Sequence, residues 1–168
     1  MNRSYNTIHL INTYGAFGSV SKERMEVVVE GSEAEDRADP SGWREYEFKG
    51  KPGDVRRCPS QVAPYHLRLD WMMWFLQFGA AVSIPGYYEA WFVRLAGKLL
   101  EADRGVLRLL RRDPFEGRRP KFVRARMFRY EYTTFRERRL SKAWWKRTLI
   151  DDYLPPISAD ELARGDLR

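Results

Sequence analysis

The feature that most constrains this chain is a change of hydrophobic period, from two to 3.6 and back to two. Arg24–Gly31 (RMEVVVEG) reads as a strand buried on both faces. In Trp43–Phe48 (WREYEF), Trp43, Glu45 and Glu47 share one face and Arg44, Tyr46 and Phe48 the other. The acidic, turn-rich Glu33–Gly42 between them predicts an exposed loop, and Lys51–Asp54 (KPGD) a tight turn. Thr7–Asn12 reads as a further short strand, with Gly15 and Gly18 permitting a sharp turn after it. The middle then becomes helical. Leu67, Trp71, Trp74, Phe75 and Phe78 fall at helical spacing, and Tyr88, Trp91, Phe92, Leu95, Ala96 and Leu99 form a full apolar stripe. A shorter helix follows with Asp103 as N-cap, stopped by Asp113-Pro114. Lys121–Thr134 returns to period two. Its apolar phase slips by one between Met127 and Phe128, which predicts a β-bulge there. Lys142–Tyr153 predicts a last helix, with Ser141 as its cap and Pro155-Pro156 as its end. The expected fold is α+β: an antiparallel, sandwich-like sheet with a helical insertion over about residues 67–112 and a C-terminal helix. One domain over residues 1–158 and a loosely ordered tail over 159–168 complete it.

Charge is concentrated in one stretch. Residues 104–147 hold 16 Lys/Arg against 4 Asp/Glu, whereas residues 1–103 hold 12 against 14. Such a stretch attracts phosphates, anionic lipid or an acidic partner, or serves as a solvated face whose arginine stems cover apolar surface. The one cysteine, Cys58, excludes an internal disulfide framework and any zinc site needing two thiolates. The first twenty residues lack a secretory pattern, because His9, Asn12 and Thr13 interrupt the apolar run. The longest apolar stretch, Trp71–Ile84, is broken by Gln77 and Ser83 and reads as a buried helix rather than a membrane span.

No nucleophile elbow, Walker loop or zincin motif occurs. Gly15-x-x-Gly18 is a weak phosphate-loop pattern better explained as a turn. His66 and Asp70 sit four apart, a spacing that shares a helix face. An acid–base pair can be drawn there, but Asp70 pairing with Arg68 or capping backbone amides is the simpler reading. Cys58 lies beside Arg56 and Arg57, cations that would favour its thiolate, yet a lone loop thiol is ordinarily incidental. Arg124, Arg126 and Arg129 interleave with aromatic residues in the manner of a base-stacking sheet. The aromatics fall on both faces, however, and core packing explains most of them.

Several strings in order are distinctive: Asn12–Gly18 (NTYGAFG), Lys22-Glu23-Arg24, Val28–Gly31, Trp43–Lys49 (WREYEFK) and Lys51–Asp54. After them come Ala63-Pro64, Arg68–Phe75 (RLDWMMWF), Arg129–Thr134 (RYEYTT), Trp144-Trp145 and Tyr153–Pro156 (YLPP). Together they resemble the lipase maturation factor family over about residues 7–158. The resemblance implies the C-terminal soluble domain of a multi-pass membrane protein. In animals such proteins sit in the endoplasmic reticulum membrane and help secreted homodimeric lipases, such as lipoprotein lipase, reach an active dimer; in a bacterium the cell membrane is implied. It implies a folding or assembly factor that is not an enzyme and takes no cofactor. Its partners would be a client lipase and the membrane-embedded part of the full-length protein. The chain is then either a C-terminal piece or a truncated stand-alone member. The motif residues expected to matter are Asn12, Tyr14, Gly15, Gly18, Arg24, Arg68, Asp70, Trp71 and Trp74, with Arg68 and Asp70 expected to form a buried polar network that fixes the loop ahead of the helix. Two other classes remain as rivals: a basic module binding an anionic membrane surface or, less favoured, nucleic acid, and an esterase using His66.

Overall fold

The computed structural model describes residues 23–61, 65–80 and 88–165. The predicted strand at Thr7–Asn12 and the glycine turn after it lie outside these. Valine-rich β1 (Arg24–Ser32) takes a central place in an antiparallel sheet of order β2-β1-β5-β6, with β2 at Trp43–Glu45, β5 at Phe122–Tyr132 and β6 at Trp145–Ile157. The expected strand Trp43–Phe48 divides at Tyr46. The Tyr46 amide still donates to the Val29 carbonyl at 3.0 Å. Beyond it, β3 (Glu47–Phe48) peels away to pair with β4 (Leu110–Arg112) in a second, two-stranded sheet. Gly31 permits this corner: a Cβ there would stand 2.7 Å from the Phe115 ring.

Among the described residues, three helices separate β3 from β4: α1 (Arg68–Ala80), α2 (Ala90–Leu100) and α3 (Arg104–Leu107). The Asp103 side chain caps α3 by accepting from the Val106 amide at 3.0 Å. The insertion closes on a strand, since Leu110 belongs to β4 and not to the helix expected there. The buried stripe of α2 (Phe92, Leu95, Ala96, Leu99, Leu100) and Met73 and Leu76 of α1 cover one face of the sheet. That face presents Val27, Val29, Val123, Ala125 and Met127. The opposite face carries a smaller cluster of Val28, Phe128, Tyr130 and Trp145.

These two clusters account for the phase slip at Met127/Phe128. The β1–β5 register runs straight through it, so Met127 and Phe128 fill cores on opposite faces of one strand. The register does shift at Met127/Phe128 on the other side of β5. There Met127 faces Asp151 and Phe128 faces Leu149, so the extra residue, Ile150, belongs to β6.

The predicted helix at Lys142–Tyr153 is incorrect, since most of that segment is β6. An exposed edge strand needs no alternation of apolar residues, because its neighbour holds it by backbone bonds. Pro155 and Pro156 lie inside the strand, which an edge position and the register shift between Val123 and Ala125 allow. The helix sits one segment earlier. In α4 (Phe135–Ser141), Thr134 and Glu137 form a reciprocal capping box, and Ser141 is the last helical residue rather than a cap. Part of the expected tail is also helical: α5 (Ala159–Arg164) carries a second capping box, Ser158 with Glu161, and its Leu162 packs onto α2 beside Gly97.

Candidate functional site

Among the described residues, no strand pairs with the N-terminal half of β1 on the side away from β5, since β2 reaches only Glu30–Ser32. Lys51 is 5% exposed, and its ammonium donates to the Val27 carbonyl at 2.8 Å, pairs with the Glu26 carboxylate at 3.2 Å and lies 5.1 Å from the Phe48 ring centre. Glu26 is held from its other oxygen by Arg24 at 2.8 Å. A buried carboxylate is tolerable when it is paired twice in this way. The turn bearing Lys51 is anchored by the first turn of α1. One Asp70 carboxylate oxygen accepts the amides of Gly50 and Lys51 at 2.6 and 2.9 Å. Arg57 secures the same turn by donating to the Phe48 carbonyl at 2.8 Å and to the Lys51 carbonyl. Burial and the neighbouring Arg111 hold its guanidinium pKa below the ordinary arginine range.

Around this anchor lies a cavity of about 280 Å³, lined by Arg24, Gly50, Lys51, His66, Leu67, Asp70, Trp71 and Trp74. Four residues singled out from the sequence therefore converge: Arg24, Asp70, Trp71 and Trp74. Arg68 lies on the other flank of α1, in a second groove with Trp71, Met72, Phe75, Glu89 and Trp91. Asn12, Tyr14, Gly15 and Gly18 lie outside the described residues. Asp70 caps the Gly50 and Lys51 amides, distant in sequence, and the expected network with Arg68 does not form, since Arg68 is exposed on the other flank. His66 meets Trp71 in a tilted contact, with ring centres 5.0 Å apart. The ring contacts continue along α1, tilted for Trp71–Trp74 at 5.2 Å and edge-to-face for Trp74–Phe78 at 5.2 Å. Phe75 and Phe78 keep 37% and 43% of their surface exposed. From the sequence Lys51 reads only as turn chemistry, and nothing there shows that its ammonium would lie against the edge of β1.

The arrangement suits recognition. Flat rings and a paired cation surround a space the size of one large side chain, on a rigid helix-and-strand support. The Asp70 oxygen that accepts two amides is committed to structure. On the far sheet face the arginine–aromatic pattern is likewise engaged internally. Glu30 pairs with Arg124 and Arg126, each at 2.6 Å. Arg124 stacks 4.0 Å from the Trp43 ring centre, and Arg147 lies 4.8 Å from that of Phe128. Arg147 also pairs with Glu45 and donates to the Tyr130 hydroxyl, which in turn donates to the Gly53 carbonyl at 3.0 Å. Burial pushes the Tyr130 phenol up to about 12, against the opposing pull of Arg147. Among the described residues, no group of three or more His, Cys, Asp or Glu is placed to hold a metal ion. No described helix is long and apolar enough to cross a membrane.

Residues 10–155, covering β1 through most of β6, match the family described as the lipase maturation factor C-terminal domain. The chain belongs to the lipase maturation factor family. It is 44% identical over 165 residues to lipase maturation factor 1 of Bos taurus and, equally, of Homo sapiens, covering 96% of this chain and 28% of each relative. It is 32% identical over 171 residues to lipase maturation factor 2 of Xenopus laevis, covering 96% of this chain and 23% of that protein. The chain thus spans under a third of the length of these lipase maturation factors. No solved structure matches it.

Proposed function

We propose that this domain serves lipase maturation by protein contact and catalyses no reaction itself. The observation that carries the reading is its 44% identity, over 96% of its length, to proteins named lipase maturation factor 1. The geometry of the α1 site supports it. Trp71, Trp74, Phe75 and Phe78 form an aromatic face beside the cation-lined cavity, and aromatic and arginine side chains anchor most protein interfaces. The client is a secreted dimeric lipase. The second partner is the membrane-embedded remainder of a longer protein, in the endoplasmic reticulum membrane of a eukaryote or the cell membrane of a bacterium. The domain offers the client a fixed surface while its subunits meet.

The test is co-expression of the longer protein with a secreted dimeric lipase, scoring recovered active dimer. Trp74→Ala lowers the yield while leaving the domain's thermal midpoint within a few degrees. An undiminished yield, or ester hydrolysis by the purified chain that His66→Ala abolishes, contradicts the reading.

A further inference from the structure

β6 ends the strand order of the main sheet, with β5 on its inner side. Between Lys146 and Asp152 every residue is exposed except the partly covered Arg147. Among the described residues no strand pairs with its outer side. An open edge presents unpaired N–H and C=O groups to any incoming strand. Proteins guard such edges with charges, bulges and prolines, and β6 has all three. Charges guard an edge when they repel a second copy, and here their order has the opposite effect. Lys146 and Arg147 begin the exposed run, Leu149 and Ile150 occupy its middle at 48% and 47% exposure, and Asp151 and Asp152 finish it. Turned antiparallel to itself, the run sets positive against negative at both ends of an apolar centre.

The bulge makes that register workable. Arg147 and Asp152 are five residues apart, an odd spacing that puts residues of an unbroken strand on opposite faces. The extra residue Ile150 brings them onto one face, since their β5 partners are Tyr130 and Arg126. Thr148 and Asp151 likewise share the other face, opposite Arg129 and Met127.

We infer that β6 is a self-association edge. Two copies of the chain pair antiparallel through Lys146–Asp152, about a two-fold axis between Leu149 and Ile150. Arg147 of each copy then lies opposite Asp152 of the other, and Thr148 opposite Asp151. Lys146 reaches Asp151 diagonally across the pair, a distance long side chains span. In the single chain Lys146 pairs with Glu137 at 2.9 Å, an exposed contact that exchanges at little cost. Pro155 and Pro156 confine the pairing to this run, having no N–H to donate. The contact is isologous and joins two four-stranded sheets into one.

Sedimentation velocity of the 168-residue chain over a concentration series tests this. The expected result is a monomer–dimer equilibrium that weakens as salt rises. Lys146→Asp and Asp151→Lys each weaken the dimer roughly tenfold, because every altered contact occurs twice. Both sites are exposed, so the thermal midpoint reports an intact fold in each variant. Mixing the two variants in equal amounts restores the dimer, since each then meets an opposite charge. A wild-type chain that stays monomeric at the highest concentration reached, or a dimer that neither variant weakens, overturns the inference.

Discussion

The two faces of the central sheet are built from alternate residues of the same strands, yet they are held by different forces. The helix-covered face presents Val27, Val29, Val123, Ala125 and Met127 to α1 and α2. The other face carries Glu26, Glu30, Arg124, Arg126 and Arg147 among Phe128, Tyr130 and Trp43. On the first face, burial of apolar area is the main stabilising contribution. On the second, carboxylates sit at low exposure (Glu30 at 2%) and stability depends on each one keeping its partners. The contrast teaches that the chain's basic stretch is partly an internal resource: three of its arginines neutralise carboxylates of β1 and β2.

The largest expected effect lies on the apolar side. Phe92→Ala empties a fully buried position of α2 that also meets Tyr153, and should cost about 3–5 kcal/mol in denaturant unfolding. On the polar face, Glu30→Gln leaves Arg124 and Arg126 facing a neutral amide and should cost about 2–3 kcal/mol. Replacing Glu30, Arg124 and Arg126 together by methionine sharpens the comparison. The triple variant should recover most of that loss, since no charge is then left without a partner. If the single and the triple variant cost the same, the polar face is not held by its pairing. Tyr130→Phe, which removes the hydroxyl between Arg147 and the Gly53 carbonyl, should cost about 1 kcal/mol.

Much of this was legible in the sequence, for a physical reason. β1, β5 and α2 bury whole faces, so their periods are written in their apolar residues. α1 buries Met73 and Leu76 instead of the expected stripe, of which Leu67, Phe75 and Phe78 are exposed, because apolar residues lie on more than one of its faces. Two-sided burial of β5 was harder to read, and the apparent slip at Met127/Phe128 is its trace. β6 was not legible because its middle is exposed and its pairing is backbone work, which leaves no hydrophobic pattern. The helix beside it did leave a signal that periodicity overlooks, Thr134-x-x-Glu137, and Ser158-x-x-Glu161 repeats it for α5. In the site, Trp71, Trp74 and Asp70 stand out as a string. Lys51 does not, because its role depends on β2 ending early.

The smallest effects belong to these two capped helices at the sheet's polar margin. Hydrogen bonds from the Lys146 side chain, and from Thr134, hold the Glu137 carboxyl at about 2, below its ordinary 4.5. The Ser158 amide, with Arg37, holds that of Glu161 at about 2. A folded-state pKa below the unfolded one stabilises fully above the unfolded value and fades as the pH falls toward the folded one. Amide protection factors in α4 and α5, taken relative to the intrinsic exchange rate at each pH, should therefore fall between pH 4.5 and about 2, ahead of those in α2, whose buried stripe carries no titratable side chain. A uniform fall across all three helices would contradict that ordering.

The proposed docking role requires the α1 surface to meet a client directly. A photo-crosslinking residue in place of Trp74, in the longer protein co-expressed with a secreted dimeric lipase, tests this contact. The expected result is a covalent adduct with the lipase from position 74 and none from the exposed position Glu116. Equal labelling from both positions, or none from position 74 while lipase still matures, would contradict it.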